Sequence, residues 1–169
     1  MKVTVNYKGK ELNVDIPDEK LEELIKEKKQ AGYERVESNT VYYYVNHVGM
    51  LECMTEQNSK IDDKRYDSAN YYSSFHFAEN IARAETLMRK IRRRSAEICE
   101  PVDLKKINIP KWYIYFDYSS SEISTSYAHS VRGLFNIIFD TKKHAEQIIG
   151  EFKDELIWYF TEYKERMDV

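Results

Sequence analysis

Apolar and polar residues alternate over residues 2–7 and 11–16, with Val3, Val5 and Tyr7 on one face and Leu12, Val14 and Ile16 continuing the pattern beyond Lys8-Gly9-Lys10. A period of two on both sides of a short glycine turn predicts a β-hairpin. Pro17-Asp18 then opens a helix in which Leu21, Leu24 and Ile25 recur at helical spacing, and Gly32 ends it. Residues 33–36 and 39–46 read as extended, the second strongly so because of its Val and Tyr content. Val48-Gly49 turns the chain into a further strand over residues 50–55. Residues 56–67 are polar and charged and read as an exposed loop, after which residues 68–72 return to the sheet. Ser74 is the expected N-cap of a long helix reaching about Ala96, whose Phe77, Ile81, Ala84, Met88 and Ile91 form a stripe suited to packing on that sheet.

The same pattern then returns. Tyr72-Ser73-Ser74-Phe75-His76-Phe77-Ala78-Glu79-Asn80-Ile81 aligns without gaps with Phe139-Asp140-Thr141-Lys142-Lys143-His144-Ala145-Glu146-Gln147-Ile148. Each copy follows a Tyr-rich stretch, Tyr42-Tyr43-Tyr44-Val45-Asn46 and Trp112-Tyr113-Ile114-Tyr115-Phe116-Asp117. The offset is 67 residues at the caps Ser74 and Thr141 and 71 when Asn46 is set against Asp117, so a four-residue difference falls in the intervening loop. Residues 112–118, 122–127 and 134–139 are the strands of the second copy. Gly150 is expected to separate its helix from a last one over residues 153–167, rich in aromatic side chains.

The expected fold is therefore α+β. An N-terminal ββα element (1–37) precedes a first β-β-β-α unit (38–100) and a second with an extra C-terminal helix (101–169), with antiparallel sheets and helices packed on one face. The connector around Pro101 and Pro110 is too short to demand separated domains.

At 169 residues the chain can bury a sizeable core, and its 14% aromatic content is not that of a disordered chain. No apolar run has the roughly 20 residues needed to cross a bilayer, and residues 1–7 lack the apolar stretch of a signal peptide, so no membrane partner is expected and the chain is placed in the cytoplasm. Cys53 and Cys99 lack CxxC spacing and read as buried reduced thiols.

Phosphate-binding glycine loops, nucleophile elbows and zinc-binding HExxH helices are all missing from the sequence, which argues against an enzyme. Neither His nor Cys shows ligand spacing, and no metal or cofactor is expected. Asp62-Asp63 with Asp67 looks like half of a divalent-cation loop, but it lacks the turn glycine and terminal glutamate of an EF-hand. Ser119-Ser120-Ser121 sits between two strands and reads as a turn.

The net charge of −3 conceals two poles. Asp18, Glu19, Glu22, Glu23 and Glu27 gather on the first helix; Arg89, Lys90, Arg92, Arg93 and Arg94 gather near the end of the central one. The basic run beside many tyrosines is the combination single-stranded nucleic acid requires, cations for phosphates and rings for bases. A helix C-terminus also favours cations through its dipole, and a pI near 5.9 argues against a dedicated nucleic-acid binder. Tyr42 with Tyr44, and Tyr113 with Tyr115, alternate with core positions and so point to the other face of their hairpins; left uncovered, such a face is a protein-binding surface. The C-terminal helix carries apolar residues on more than one side, which suits packing between units or in a homodimer.

The run Lys28-Lys29-Gln30-Ala31-Gly32-Tyr33-Glu34-Arg35-Val36, the two Tyr-rich stretches, Asp63-Lys64-Arg65-Tyr66 with Asn70, and the Ala78-Glu79 and Ala145-Glu146 helix starts together resemble a diffuse family of small accessory proteins of phages and prophages of Gram-positive bacteria. The basic run and the aromatic last helix depart from that pattern. The resemblance carries no catalytic residues. It implies a non-enzymatic inhibitor of a bacterial defence system in the host cytoplasm, most specifically an anti-CRISPR protein that binds a nuclease effector, with the acidic residues 18–27 occupying a positively charged nucleic-acid channel. The alternative is a nucleic-acid-binding regulator that uses residues 89–94 with the sheet tyrosines.

Overall fold

The computed structural model describes residues 2–7, 10–15, 32–129 and 137–163. The chain is α+β, with three two-stranded antiparallel sheets and three helices among those residues. β1 (Lys2–Tyr7) and β2 (Lys10–Asp15) form the first hairpin, with Val3 opposite Val14 and Val5 opposite Leu12, as the alternation requires. The helix expected after Pro17 lies outside the described residues.

β3 (Val41–Val45) and β4 (Leu51–Thr55) form the second hairpin, with Tyr43 opposite Cys53. Residues 56–67 correct the expectation of an exposed loop. They fold into α1 (Lys60–Asp67), N-capped by Ser59, whose hydroxyl accepts from the Asp62 amide while the Asp62 carboxylate accepts from the Ser59 amide. This reciprocal cap starts a helix that has no apolar stripe. The expected return strand shrinks to one residue, Tyr72, which exchanges both backbone hydrogen bonds with Tyr43 at 2.9 Å. Ser74 then caps α2 (Phe75–Ile98).

The second unit repeats this construction. β5 (Lys111–Asp117) and β6 (Glu122–Ala128) form its hairpin across a turn at residues 118–121. Phe139 exchanges both backbone hydrogen bonds with Trp112, and Thr141 caps α3 (Lys142–Thr161). The break expected at Gly150 falls instead at Phe152, whose φ of −123° and ψ of 23° kink a continuous helix. Tyr72 and Phe139, Ala78 and Ala145, and Ile81 and Ile148 keep the offset of 67, and all six are buried. The bridges set Tyr43 against Trp112, however, which displaces the hairpins by two residues from the alignment of Asn46 with Asp117.

The core has two adjoining parts. Val45, Tyr72, Ala78, Ile81 and Ala82 pack within the first unit; Leu87 and Ile91 of α2 join Phe139, Ala145, Ile148 and Leu156 in the second. α3 lies between α2 and the β5–β6 hairpin. Its aromatic residues are taken up inside the chain: Phe160 stacks on Phe116, and Trp158 is buried with the Arg83 guanidinium 3.8 Å above its ring. At Gly32, with φ of +91°, an added Cβ would stand 2.4 Å from the Phe77 ring, so the chain passes there only without a side chain.

Candidate protein-binding face

The two units bury one face of their hairpins alike. Tyr43 and Val45 turn toward α2, and Trp112 and Ile114 turn toward α3. The residues that alternate with them in sequence, Tyr42 and Tyr44 in β3 and Tyr113 and Tyr115 in β5, must point the other way.

In the first unit that other face is covered by α1. Tyr42 is fully buried, stacks on Tyr71 at 4.0 Å, and donates to Asp62 Oδ1 at 2.7 Å. Arg65 donates to the Tyr42 hydroxyl at 2.6 Å and lies 3.6 Å above the Tyr44 ring, a cation–π contact. Tyr44 donates in turn to Glu52. Behind this layer, buried Glu56 accepts two bonds from Arg35, at 3.0 and 3.1 Å, one from Tyr71 at 2.7 Å and one from the Asn58 amide at 2.7 Å. Arg35 also pairs with Asp63 at 2.8 Å. The buried carboxylates are thus fully engaged, as burial of charge requires. The Arg35 hydrogen bonds, with Tyr71 and the Asn58 amide, hold Glu56 below its ordinary range. Burial opposes ionisation of Asp62, but bonds from Tyr42, Ser59 and Gln57 outweigh it and hold that carboxylate below its ordinary range as well. Asp62 is therefore a buried structural anchor and not part of a solvated loop, whereas Asp63 stays exposed and pairs with Arg35.

In the second unit no described helix covers the matching face. It presents Tyr113, Tyr115 and Asp117 on β5 opposite Ser126, Ser124 and Glu122 on β6. Tyr115 is 37% exposed, and the rings of Tyr113 and Tyr115 lie 6.3 Å apart. At the tip, Ser119 donates its hydroxyl and amide to Asp117 Oδ1 at 2.6 and 2.9 Å, and these bonds hold Asp117 ionised below its usual range. Lys111 closes the far end. It is fully buried, with its ammonium donating to the carbonyls of Lys106, Ile109 and His129, which uses all three of its donors and ties the connector to the hairpin. The face is aromatic and hydroxyl-bearing at its centre and acidic at its tip. None of its six positions carries a cation.

The acidic residues Asp18, Glu19, Glu22, Glu23 and Glu27 lie outside the described residues. The basic run lies on α2, where only part of it is available. Arg94 grips Glu151 of α3 through Nε and Nη2, at 2.8 and 2.9 Å, and pairs with Glu97; Arg89 pairs with Glu85. Lys90, Arg92 and Arg93 are exposed and make no ion pair among the described residues. α3 separates α2 from the β5–β6 hairpin, so the structure does not bring these cations to the open tyrosines.

One cluster had no signal in sequence spacing. Cys99, the C-cap of α2, meets Asp140 and His144 at the start of α3, with one ligand atom from each within 4.8 Å of the others. Burial pushes the Cys99 thiol up, and the neighbouring Asp140 charge adds to this, so it is not an activated nucleophile. Cys53, expected to be buried, is exposed, because α2 packs mainly over β3 and leaves β4 open.

Comparison with protein-family models, curated proteins and solved structures finds no match to this chain.

Proposed function

We propose that this protein is a non-enzymatic binding protein that places the outer face of the β5–β6 hairpin against an arginine-bearing, basic surface of a nucleic-acid-handling partner. Following the family resemblance, that partner is a nuclease effector of a bacterial defence system and the protein is its inhibitor, an anti-CRISPR protein in the most specific form. The observation that carries this reading is the asymmetry of the repeat among the described residues. The first unit shows what such a face receives, a helix whose Arg65 lies on Tyr44 and whose Asp62 takes the Tyr42 hydroxyl. The second unit offers Tyr113 and Tyr115 with a carboxylate tip, complementary in charge to arginine and repulsive to phosphate. Tyrosine supplies large contact area at low entropic cost, which suits a binding surface.

The test is affinity capture of the tagged full chain from lysate of a Gram-positive bacterium carrying a CRISPR system, with nuclease treatment, beside a Tyr113→Ala/Tyr115→Ala variant. A stoichiometric, nuclease-resistant effector that the variant loses supports the proposal. An effector captured equally by the variant overturns the assignment of the face. Recovery of nucleic acid alone, lost on Lys90→Glu/Arg92→Glu/Arg93→Glu, overturns the inhibitor reading in favour of the regulator, which these three exposed cations would then serve. Reversal of Glu19, Glu22 and Glu23 to Lys measures the share of the acidic segment: unchanged capture removes it from the interface.

A further inference from the structure

The structure joins its two units at a point where three side chains of metal-binding type converge. α2 ends at Cys99, whose amide donates to Ser95 at 2.8 Å; α3 begins after Asp140, with the His144 amide donating to Thr141 at 3.3 Å. Phe139 and Ala145 are both buried in the core and hold the backbone on either side of Asp140 and His144. The ligand-bearing positions are thus fixed by caps and packing.

We propose that Cys99, Asp140 and His144 bind a thiolate-accepting divalent metal ion, zinc above all, that ties the end of the first unit to the helix of the second. The donor set is one sulfur, one oxygen and one imidazole nitrogen, all half-buried. Zinc holds such donors at about 2.0–2.3 Å, which sets them roughly 3–4 Å apart in a tetrahedron. The 4.8 Å limit on the present spacing leaves side-chain rotation of about 1 Å to close the site. His144 Nδ1 already stands 2.6 Å from Asp140 Oδ1, so a metal ion there takes the place of the shared proton and pushes the two atoms slightly apart. Asp140 Oδ2 accepts from the Glu100 amide at 3.1 Å, an outer bond that turns Oδ1 toward the ring. A thiolate and a carboxylate neutralise the divalent charge, and three protein donors leave the fourth position to water. The negative end of α2 and the positive end of α3 both face the site, so their fields offset one another. This inference does not depend on the proposed partner.

The test uses the purified full chain, stripped by chelator and titrated with Co²⁺ and then Zn²⁺. The expected result is one equivalent of Co²⁺ with tetrahedral visible bands and a thiolate charge-transfer band, both abolished by Zn²⁺. Cys99→Ser and His144→Ala lose the bands, whereas Cys53→Ser keeps them. Excess Zn²⁺ raises the melting temperature of the natural chain by roughly 5 °C and leaves Cys99→Ser unmoved. Absence of the charge-transfer band in the natural chain overturns the proposal. So does its persistence in Cys99→Ser, or its loss in Cys53→Ser.

Discussion

Tyr43 and Trp112 occupy the same place in two copies of one unit: each exchanges both backbone hydrogen bonds with the residue two positions ahead of a helix cap, Tyr72 before Ser74 and Phe139 before Thr141. Those two bridges fix the register of hairpin to helix in both halves. The residues at which the halves differ are therefore directly comparable, and among the described residues a helix between hairpin and bridge, α1, is found in the first half.

The shared register makes Ala78 and Ala145 equivalent, each fully buried where its helix passes over its hairpin. Enlarging either overpacks the contact. Ala145→Leu and Ala78→Leu should each lower stability by about 1–3 kcal/mol in denaturant unfolding, while Ala96→Leu on the exposed side of α2 should change it by less than about 0.5 kcal/mol. Equal effects at all three would remove the packing basis of the repeat.

α1 is held by polar contacts, which makes it sensitive to a single acceptor. Asp62→Asn leaves the Gln57 amide, the Ser59 amide or the Tyr42 hydroxyl without its present partner. A loss of about 1–3 kcal/mol is expected, with amide hydrogen exchange rising first over residues 60–67. Uniform exchange changes across both units would contradict this local role.

The same network sets the pH dependence. Glu56 and Asp62 have carboxyl values lowered by folding, so the stability they contribute is present above their ordinary values near 4 and is lost as pH falls through the lowered ones. Tyr71 and Tyr72 are raised, chiefly by burial, so their contribution is full below about pH 10 and is lost as pH rises through the raised values. Burial raises the Cys99 thiol as well, so denaturant midpoints should be flat between about pH 5 and 8 and fall on both sides. In Glu56→Gln the acid limb should be shallower; an unchanged limb would show that these carboxylates do not govern it.

The repeat was legible because its signals are local: hydroxyl caps at Ser74 and Thr141, alanines at Ala78 and Ala145, and aromatic residues in alternation. α1 was not, because KIDDKRYD has no apolar stripe, and its larger apolar residues Ile61 and Tyr66 stay exposed. Its available signal was the Ser59–Asp62 capping pair. The tyrosine faces could be assigned by parity, but whether each is covered depends on tertiary packing that no periodicity encodes. The cluster of Cys99, Asp140 and His144 joins residues from two units, beyond any ligand spacing within one element.

The most direct measurement of the central claim is mass-spectrometric mapping of tyrosine nitration on the intact chain at low reagent. Early modification is expected at exposed Tyr115, with half-buried Tyr113 following, Tyr42 and Tyr71 protected, and Tyr44 slowed beneath Arg65. Protection of Tyr113 and Tyr115 equal to that of Tyr42 would mean that the second face is already covered, and would contradict its assignment as the binding surface.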